Sequence, residues 1–436
     1  FGSSPARAAT QVTLQGPQPV GLRWRPLPAH AVARPMGTYL SQPVTEKESS
    51  SGACATHTWG CSSMQGWRTN MEDAHITISD LGGDHEGLSI FGVFDGHGGR
   101  EVAQFCRTHL PDEVRRQLQR LGGKSSSTCG EALKQGFHGM DDMLRSPEHE
   151  RELLALKQAP GPGSSQPPAS GGSGSSADSE GGSGEEDGET PKPRVVSILQ
   201  SSIQSDLAQA RDRGSLTREE ATQVMMKMAL LRRLENQAPA GNPDAGAADN
   251  VGCTAVCVLL SKTEVICANA GDSRAIMCRK GAPVELSHDH KPNDATERRR
   301  IEAIGGRVEE IPVGTRVHYR VNGNLNLSRA IGDMEYKKKP ELGPEKQMIC
   351  STPDLIVEPI TEDDEFIVLA CDGVWDVKTN QEVCDFVGPR LKQGQEIPKI
   401  IEALLDDCIA ADPKETHGLG GDNMTCVVVQ LRHSHG

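Results

Sequence analysis

LSIFGVFDGHGG, residues 88–99, passes from an unbroken apolar run into an acidic residue and then into glycine. An apolar run of this length, closed by a turn signal, reads as a strand buried on both faces. Asp95, at the end of the run, then sits at the rim of a sheet, rigidly held and aimed outward. The same pattern recurs beyond Val251 in CTAVCVLL, TEVICANAG, SRAIMCRKG, DEFIVLACDG and NMTCVVVQL, each short, apolar and bounded by Gly, Asp or Asn. Helices are expected over residues 100–121 and 130–144, in ATERRRIEAIGG, and after Val377. Strands in succession, with helices before and between them, predict an α+β chain built as an antiparallel sheet sandwich flanked by helices.

Asp95, Asp272, Asp372 and Asp422 each end such a run or lie in the turn beside one, in VFDGHGG, NAGDSR, ACDGVWD and GGDNMT. Taken singly, Asp-Gly and Asp-Asn are ordinary turn formers. Taken together, and with the Glu72-Asp73 pair, they predict a cluster of carboxylates. Acids held this close need cations beside them, or mutual repulsion raises their pKa values and costs stability. Oxygen-only donors suit Mg²⁺, Mn²⁺ and Ca²⁺ better than zinc.

Composition narrows the class further. The chain of 436 residues is 36% hydrophobic and 24% charged, so most of it is expected to fold. Aromatics amount to only 3%, which places part of the length outside the core. A formal charge of −14 argues against direct nucleic-acid binding. The 13 cysteines are odd in number, form no C-x-x-C pair and fall partly inside apolar runs. They predict a reducing compartment with neither a disulfide framework nor a cysteine zinc site. No apolar run approaches the ~20 residues that span a bilayer, so a soluble protein is expected.

Residues 1–53 read as a leader and N-terminal segment, disordered in part. Residues 1–35 carry Arg and Pro but no acid, and are expected to be upstream of the true start rather than a transit peptide. Met36-Gly37-Thr38-Tyr39-Leu40-Ser41 matches the N-myristoylation pattern, which would give at most reversible membrane attachment through Gly37. The folded domain is expected over residues 54–432, interrupted by an insertion at 158–248. Within that insertion, residues 159–190 are Gly/Ser/Pro-rich with acids from Asp178 to Glu189, a composition that cannot bury enough apolar surface to fold. A capping box at Thr217 and Glu220, followed by a Met/Leu stripe, predicts helix within 195–236. The acidic tract is read first as a spacer and second as a recruiter of basic partners. Arg298, Arg299 and Arg300, and the Lys337-Lys338-Lys339 run, are read as solvated surface charge.

GWRTNMEDAH, FGVFDGHGG, the Gly-Cys-Thr-Ala stretch at 252–255, NAGDSRA, LSRAIGD, LACDGVWD and GGDNMTCVVV occur in the order of the PPM family, which the chain resembles over roughly residues 54–431. These are metal-dependent, type-2C protein serine/threonine phosphatases. The resemblance implies a four-layer α-β-β-α sandwich with metals at one end. It implies that Asp95 bridges two metals, with the Gly96 carbonyl on one of them. Glu72, Asp372 and Asp422 would complete the site, with Asp73 and Thr254 holding waters and Asn423 beside Asp422. Asp272, Asp372 and Asp376 resemble the set for a weaker third ion, while Asp333 matches a motif without a metal role.

Two Mg²⁺ or Mn²⁺ ions can share one water, lower its pKa and deliver it in line with the leaving oxygen. Arg68, beside the acidic pair, can grip two phosphoryl oxygens. His97, with an intrinsic pKa near ~6.5, suits proton donation to the departing Ser or Thr. The expected substrates are phosphorylated proteins and the expected state a monomer. The insertion resembles that of one branch of the family associated with the nucleus and RNA processing, so a cytoplasmic or nuclear location is expected. A silent scaffold of the same fold and a two-metal nuclease are the rival readings. Complete motifs disfavour the first, and the acidic charge without a basic or aromatic track disfavours the second.

Overall fold

The computed structural model describes residues 39–159, 246–313 and 316–433. The myristoylation motif up to Thr38, the acidic tract, and the helix expected within 195–236 lie outside the described residues.

A hairpin of β1 (Val44–Ala53) and β2 (His57–Gly66) opens the fold. It is followed by β3 (Ala74–Ile78), β4 (Ser89–Phe94) and the short β5 (Gly96–His97). Helices α1 (Glu101–Leu121), α2 (Ser126–Leu144) and α3 (Pro147–Gln158) come next. Beyond residue 246 the chain continues with β6 (Gly252–Cys253), β7 (Ala255–Leu260), β8 (Glu264–Ala270), β9 (Arg274–Arg279) and β10 (Ala282–Glu285). Then come α4 (Ala295–Ala303), β11 (Val308–Val313), β12 (Arg316–Val321), β13 (Ile331–Gly332), β14 (Asp354–Pro359) and β15 (Asp364–Ala370). Short α5 (Asp372–Trp375), α6 (Asn380–Lys392), α7 (Ile397–Cys408) and β16 (Met424–Leu431) complete it.

Two antiparallel sheets form the centre, in the orders β1-β2-β16-β15-β9-β10 and β14-β8-β7-β4-β3. Strand alternation builds the layers. On β16, Val427 and Val429 face Phe91, Val256, Val258 and Ile367 in the core between the sheets. Cys426 and Val428, pointing the other way, pack with Ile400, Leu404 and Leu405 of α7 and Val383 and Val387 of α6. Ile90 and Phe94 of β4 likewise meet Phe105, Leu110 and Val114 of α1 and Phe137 of α2. Because both faces of these strands are covered, they read as continuous apolar runs. The result is the expected four-layer α-β-β-α arrangement.

Several sequence-based bounds move. Residues 44–53 form β1, an exposed edge strand paired with β2, so the fold begins before residue 54. Its sequence VTEKESSSGA is polar because it covers no core, which hides it from hydrophobic patterning. α2 starts at Ser126 rather than 130, because the Ser125 side chain caps it by accepting from Thr128 N. At the far side of the expected insertion, Ala248 is buried and its carbonyl accepts from Met334 N at 3.1 Å.

One residue in each of the two charge runs is corrected as well, while Arg299, Lys338 and Lys339 are exposed as expected. Lys337 is buried, donating to Asp141 Oδ2 at 2.6 Å and to the Ala330 carbonyl at 2.8 Å. Arg300 is largely covered, pairing with buried Glu297 at 2.7 Å and donating to the Gln347 carbonyl at 3.1 Å. Neither is solvated surface charge.

Candidate active site

Strand register brings the acidic turns to one end of the sandwich. Ala74 at the start of β3 pairs with Phe94 at the end of β4, so Glu72, Asp73 and Asp95 share that edge. Ala255 pairs with Ala270, which puts Asp272 beyond the same end of β8. Ala370 pairs with both Cys426 and Arg274, and Met424 pairs with Met64. Asp372, Asp422 and Arg68 therefore leave the second sheet at the end where the first sheet presents its acids.

The carboxylates act on one another electrostatically. Burial, and then the charges of Asp372, Asp73, Asp422 and Asp272, push the Asp95 carboxyl well above the usual range. Burial and then Asp272, Asp422 and Asp376 do the same to Asp372, with Lys291 opposing. Burial raises Asp73 to about 7 despite a 2.7 Å hydrogen bond from Thr425 Oγ1. Glu72 is raised, mainly by burial. All the predicted acidic residues thus belong to one electrostatic cluster.

Tight backbone approaches hold the cluster together. A Cβ on Gly96 would lie 2.3 Å from the Glu72 carbonyl oxygen, and one on Gly373 would lie 2.1 Å from that of Asn423. Asn423 ties its own turn to the end of β2 and to the loop after it, accepting from Glu72 N at 2.9 Å and donating to the carbonyls of Gln65 and Asn70 at 2.7 and 3.0 Å. Thr254 N donates to the Asp95 carbonyl at 2.9 Å, and its hydroxyl shares a 2.7 Å hydrogen bond with Ser273. Arg68, half-exposed, donates from Nη2 to Asp422 Oδ2. Thr254 and Asn423 therefore fix backbone at the site.

The residues fit divalent cations. Asp73 Oδ1 is buried without a hydrogen-bond partner among the described residues, and one oxygen each from Asp73 and Asp95 lies within 4.8 Å of the other. The donors available are carboxylate and carbonyl oxygens, the ligands of hard ions. Cys371 Sγ shares that 4.8 Å neighbourhood, but burial and the adjacent acids hold its thiol pKa well up, so it does not offer a thiolate.

Two pairings escaped sequence reasoning. His97 Nε2 donates to the buried Asp333 carboxylate at 2.7 Å, across Gly252. The small sheet β13-β6-β5 creates this contact by pairing both His97 and Gly332 with Gly252. Burial alone would lower the His97 pKa, but the charge and hydrogen bond of Asp333 raise it. Lys291 Nζ lies 2.6 Å from Asp272 Oδ2 and supplies a fixed positive charge at the edge of the cluster. The LSRAIGD motif was the available signal for Asp333; nothing local marks Lys291.

A sandwich of this topology, with acids and an arginine converging at one end, offers hard divalent cations an oxygen-lined site beside a guanidinium. The family model "Protein phosphatase 2C" matches residues 58–161 and 194–416, the break falling inside the expected insertion. The probable protein phosphatase 2C 11 of Oryza sativa subsp. japonica is 38% identical over 91% of this chain and 91% of its own length. Protein phosphatase 2C homolog 2 of Schizosaccharomyces pombe is 35% identical over 92% of this chain and 80% of its own. The serine-threonine phosphatase 2C structure from Toxoplasma gondii superposes with a TM-score of 0.54 at 16% identity, covering 90% of this chain and 98% of that one, a likeness of fold. The chain belongs to the protein phosphatase 2C family and is a metal-dependent protein serine/threonine phosphatase.

Proposed function

We propose that this enzyme hydrolyses phosphoserine and phosphothreonine in proteins by direct attack of water, with Arg68 gripping the phosphoryl group and His97 protonating the leaving oxygen. The observation that carries the proposal is the His97–Asp333 pair standing beside the convergent carboxylates. Glu72, Asp73, Asp95, the Gly96 carbonyl, Asp372 and Asp422 would hold two Mg²⁺ or Mn²⁺ ions, which supply an acidified water and offset phosphoryl charge. Asp272, Asp372 and Asp376 would take a weaker third ion, in competition with the ammonium of Lys291.

The chain's own groups then divide the work. Arg68 presents a guanidinium fork at the mouth of the site, and its bond to Asp422 orients it without covering it. With His97 Nε2–H committed to Asp333, Nδ1 is the ring position left to give up a proton, and Nδ1 is buried without a hydrogen-bond partner among the described residues. Asp333 is a positioning residue: it fixes the ring and favours the protonated form. The Met36–Ser41 segment belongs to the same reading as a reversible acyl anchor at Gly37, and the acidic tract as a spacer first and a recruiter of basic partners second, in a cytoplasmic or nuclear monomer.

Leaving-group chemistry tests the assignment. A serine or threonine alkoxide is a poor leaving group and needs a proton, whereas p-nitrophenolate does not. His97→Ala should lower kcat on a phosphothreonine peptide by roughly 10²–10⁴-fold while largely sparing p-nitrophenyl phosphate. Asp333→Asn should show the same split to a smaller degree. Equal losses on both substrates would remove His97 from the acid role.

A further inference from the structure

α1 and α3 bring together a second group of metal-type donors, chemically unlike the first. His109 Nε2 lies 2.8 Å from Glu152 Oε1, and His149 Nδ1 lies 3.4 Å from Glu152 Oε2. One donor atom from each of the three residues falls within 4.8 Å of the others. His149 and Glu152 sit three residues apart on one face of α3, and His109 faces them from α1. Phe105 walls the group, its ring 4.3 Å from that of His109 and 5.2 Å from that of His149. All three side chains remain partly open to solvent.

We propose that His109, His149 and Glu152 bind one zinc-type transition-metal ion that clamps α3 onto α1, apart from the carboxylate centre. A tetrahedral ion with bonds of about 2.0–2.1 Å needs donors about 3.3 Å apart; the two imidazoles lie 2.8 and 3.4 Å from separate oxygens of Glu152, and one donor atom from each residue falls within 4.8 Å of the others, so all three stand within reach of one ion. Two imidazoles and one carboxylate are the donor set of zinc, nickel or copper rather than magnesium. The partial exposure leaves the fourth position to water. His109 lies eight residues along α1 from Glu101, which lines the cleft beside Glu72, about 12 Å at 1.5 Å per residue, so the two centres need not share an ion.

The clamp has a structural consequence. α3 ends beside the catalytic cleft: Arg100 donates to the Ala159 carbonyl at 2.6 Å, and Lys157 lies 3.9 Å from Glu101. Lys157 and Ala159 share a cleft of about 560 Å³ with Glu72 and Gly98. An ion on His149 and Glu152 therefore fixes one wall of that cleft.

Cobalt(II) distinguishes the two centres by spectrum. In excess Mg²⁺, the full chain should take up one equivalent of Co²⁺ with the strong visible band of a four- or five-coordinate, nitrogen-ligated ion. Oxygen-ligated octahedral cobalt in the carboxylate centre absorbs only weakly. His149→Ala and His109→Ala should each abolish the band and weaken uptake by more than the roughly 10–100-fold that loss of an outer-shell partner costs. Circular dichroism and the thermal unfolding midpoint of the same metal-free samples serve as the folding control. A full-chain spectrum without the band, or a band that persists in both variants, would overturn the proposal and leave Glu152 as a hydrogen-bond bridge between two imidazoles.

Discussion

Arg68 and Asp422 make the site's most exposed ion pair, and its partners explain why arginine stands there. Arg68 feels the charges of Asp422, Asp95 and Asp372 together, so its guanidinium stays charged and aimed at the cluster while one edge remains open to a ligand. A lysine keeps the charge but loses the fork. Arg68→Lys should therefore lower kcat/KM for a phosphothreonine peptide by roughly 10–100-fold, the cost of about 1.5–3 kcal/mol for one charged hydrogen bond. It should also weaken inhibition by inorganic phosphate; unchanged phosphate inhibition would count against the gripping role. At this scale the sequence was most informative about acids, because Asp at a strand end has a fixed direction whatever its distant neighbours. It was silent about pairings such as Asp272 with Lys291, across the hairpin of β9 and β10, and His97 with Asp333, which lie far apart in the chain. Lys337 misled for the same reason, its buried partner Asp141 being remote in the chain, whereas Arg300 misled because nothing local marks its helix neighbour Glu297 as buried.

Glycines set the close approaches between elements, and their removal makes a sharper test than loss of an acid. Gly252 separates His97 from Asp333; a Cβ there would lie 2.5 Å from Asp333 Oδ2 and 2.8 Å from His97 Nε2. Gly252→Ala should pry the pair apart and reproduce the peptide-selective loss of His97→Ala, at a stability cost of about 1–3 kcal/mol. Gly373→Ala should instead push α5 from the Asn423 backbone and separate Asp372 from Asp422. The outcome expected is weaker Mn²⁺ activation, seen as a higher metal concentration for half-maximal rate; an unchanged half-point would show that the approach is slack. Elements buried on both faces, such as β4, β7, β15 and β16, were legible as apolar runs. The polar edge strand β1 and the hairpin β11–β12 were not, since neither covers the main core and their pairing is carried by backbone hydrogen bonds.

Across the whole molecule, the two sheets meet over a core into which a histidine has been drawn. His57, fully buried on β2, lies edge-on to Phe91 of β4 with ring centroids 5.4 Å apart. Burial, assisted by Arg432, lowers its pKa to about 4, against about 6.5 in an unfolded chain. Between those values the unfolded state binds the proton and the folded state does not, so stability falls as pH drops from about 6.5 to about 4. Denaturant unfolding of wild type and His57→Gln should show the variant losing less over that interval, by on the order of 1–3 kcal/mol. Parallel pH dependences would place the charge burden elsewhere. The order of motifs made the sandwich legible at this scale, whereas the point where the fold re-enters at Ala248 was not, because a short buried turn has no periodicity to read.

The catalytic end itself carries an electrostatic burden. Its acids are partly or fully buried and act on one another, so the fold carries a repulsion that divalent ions would relieve. Removing one acid should then spare or raise metal-free stability while destroying activity, the exchange expected where function demands an unfavourable arrangement. The most direct measurement is phosphate release from a phosphothreonine peptide with Mn²⁺, with and without EDTA, for wild type and for a folded Asp95→Ala variant. The convergent carboxylates predict release that EDTA abolishes and that Asp95→Ala lowers by roughly 10³-fold or more, about 4 kcal/mol of barrier. Release that survives EDTA, or an Asp95→Ala enzyme as fast as its parent, would contradict them.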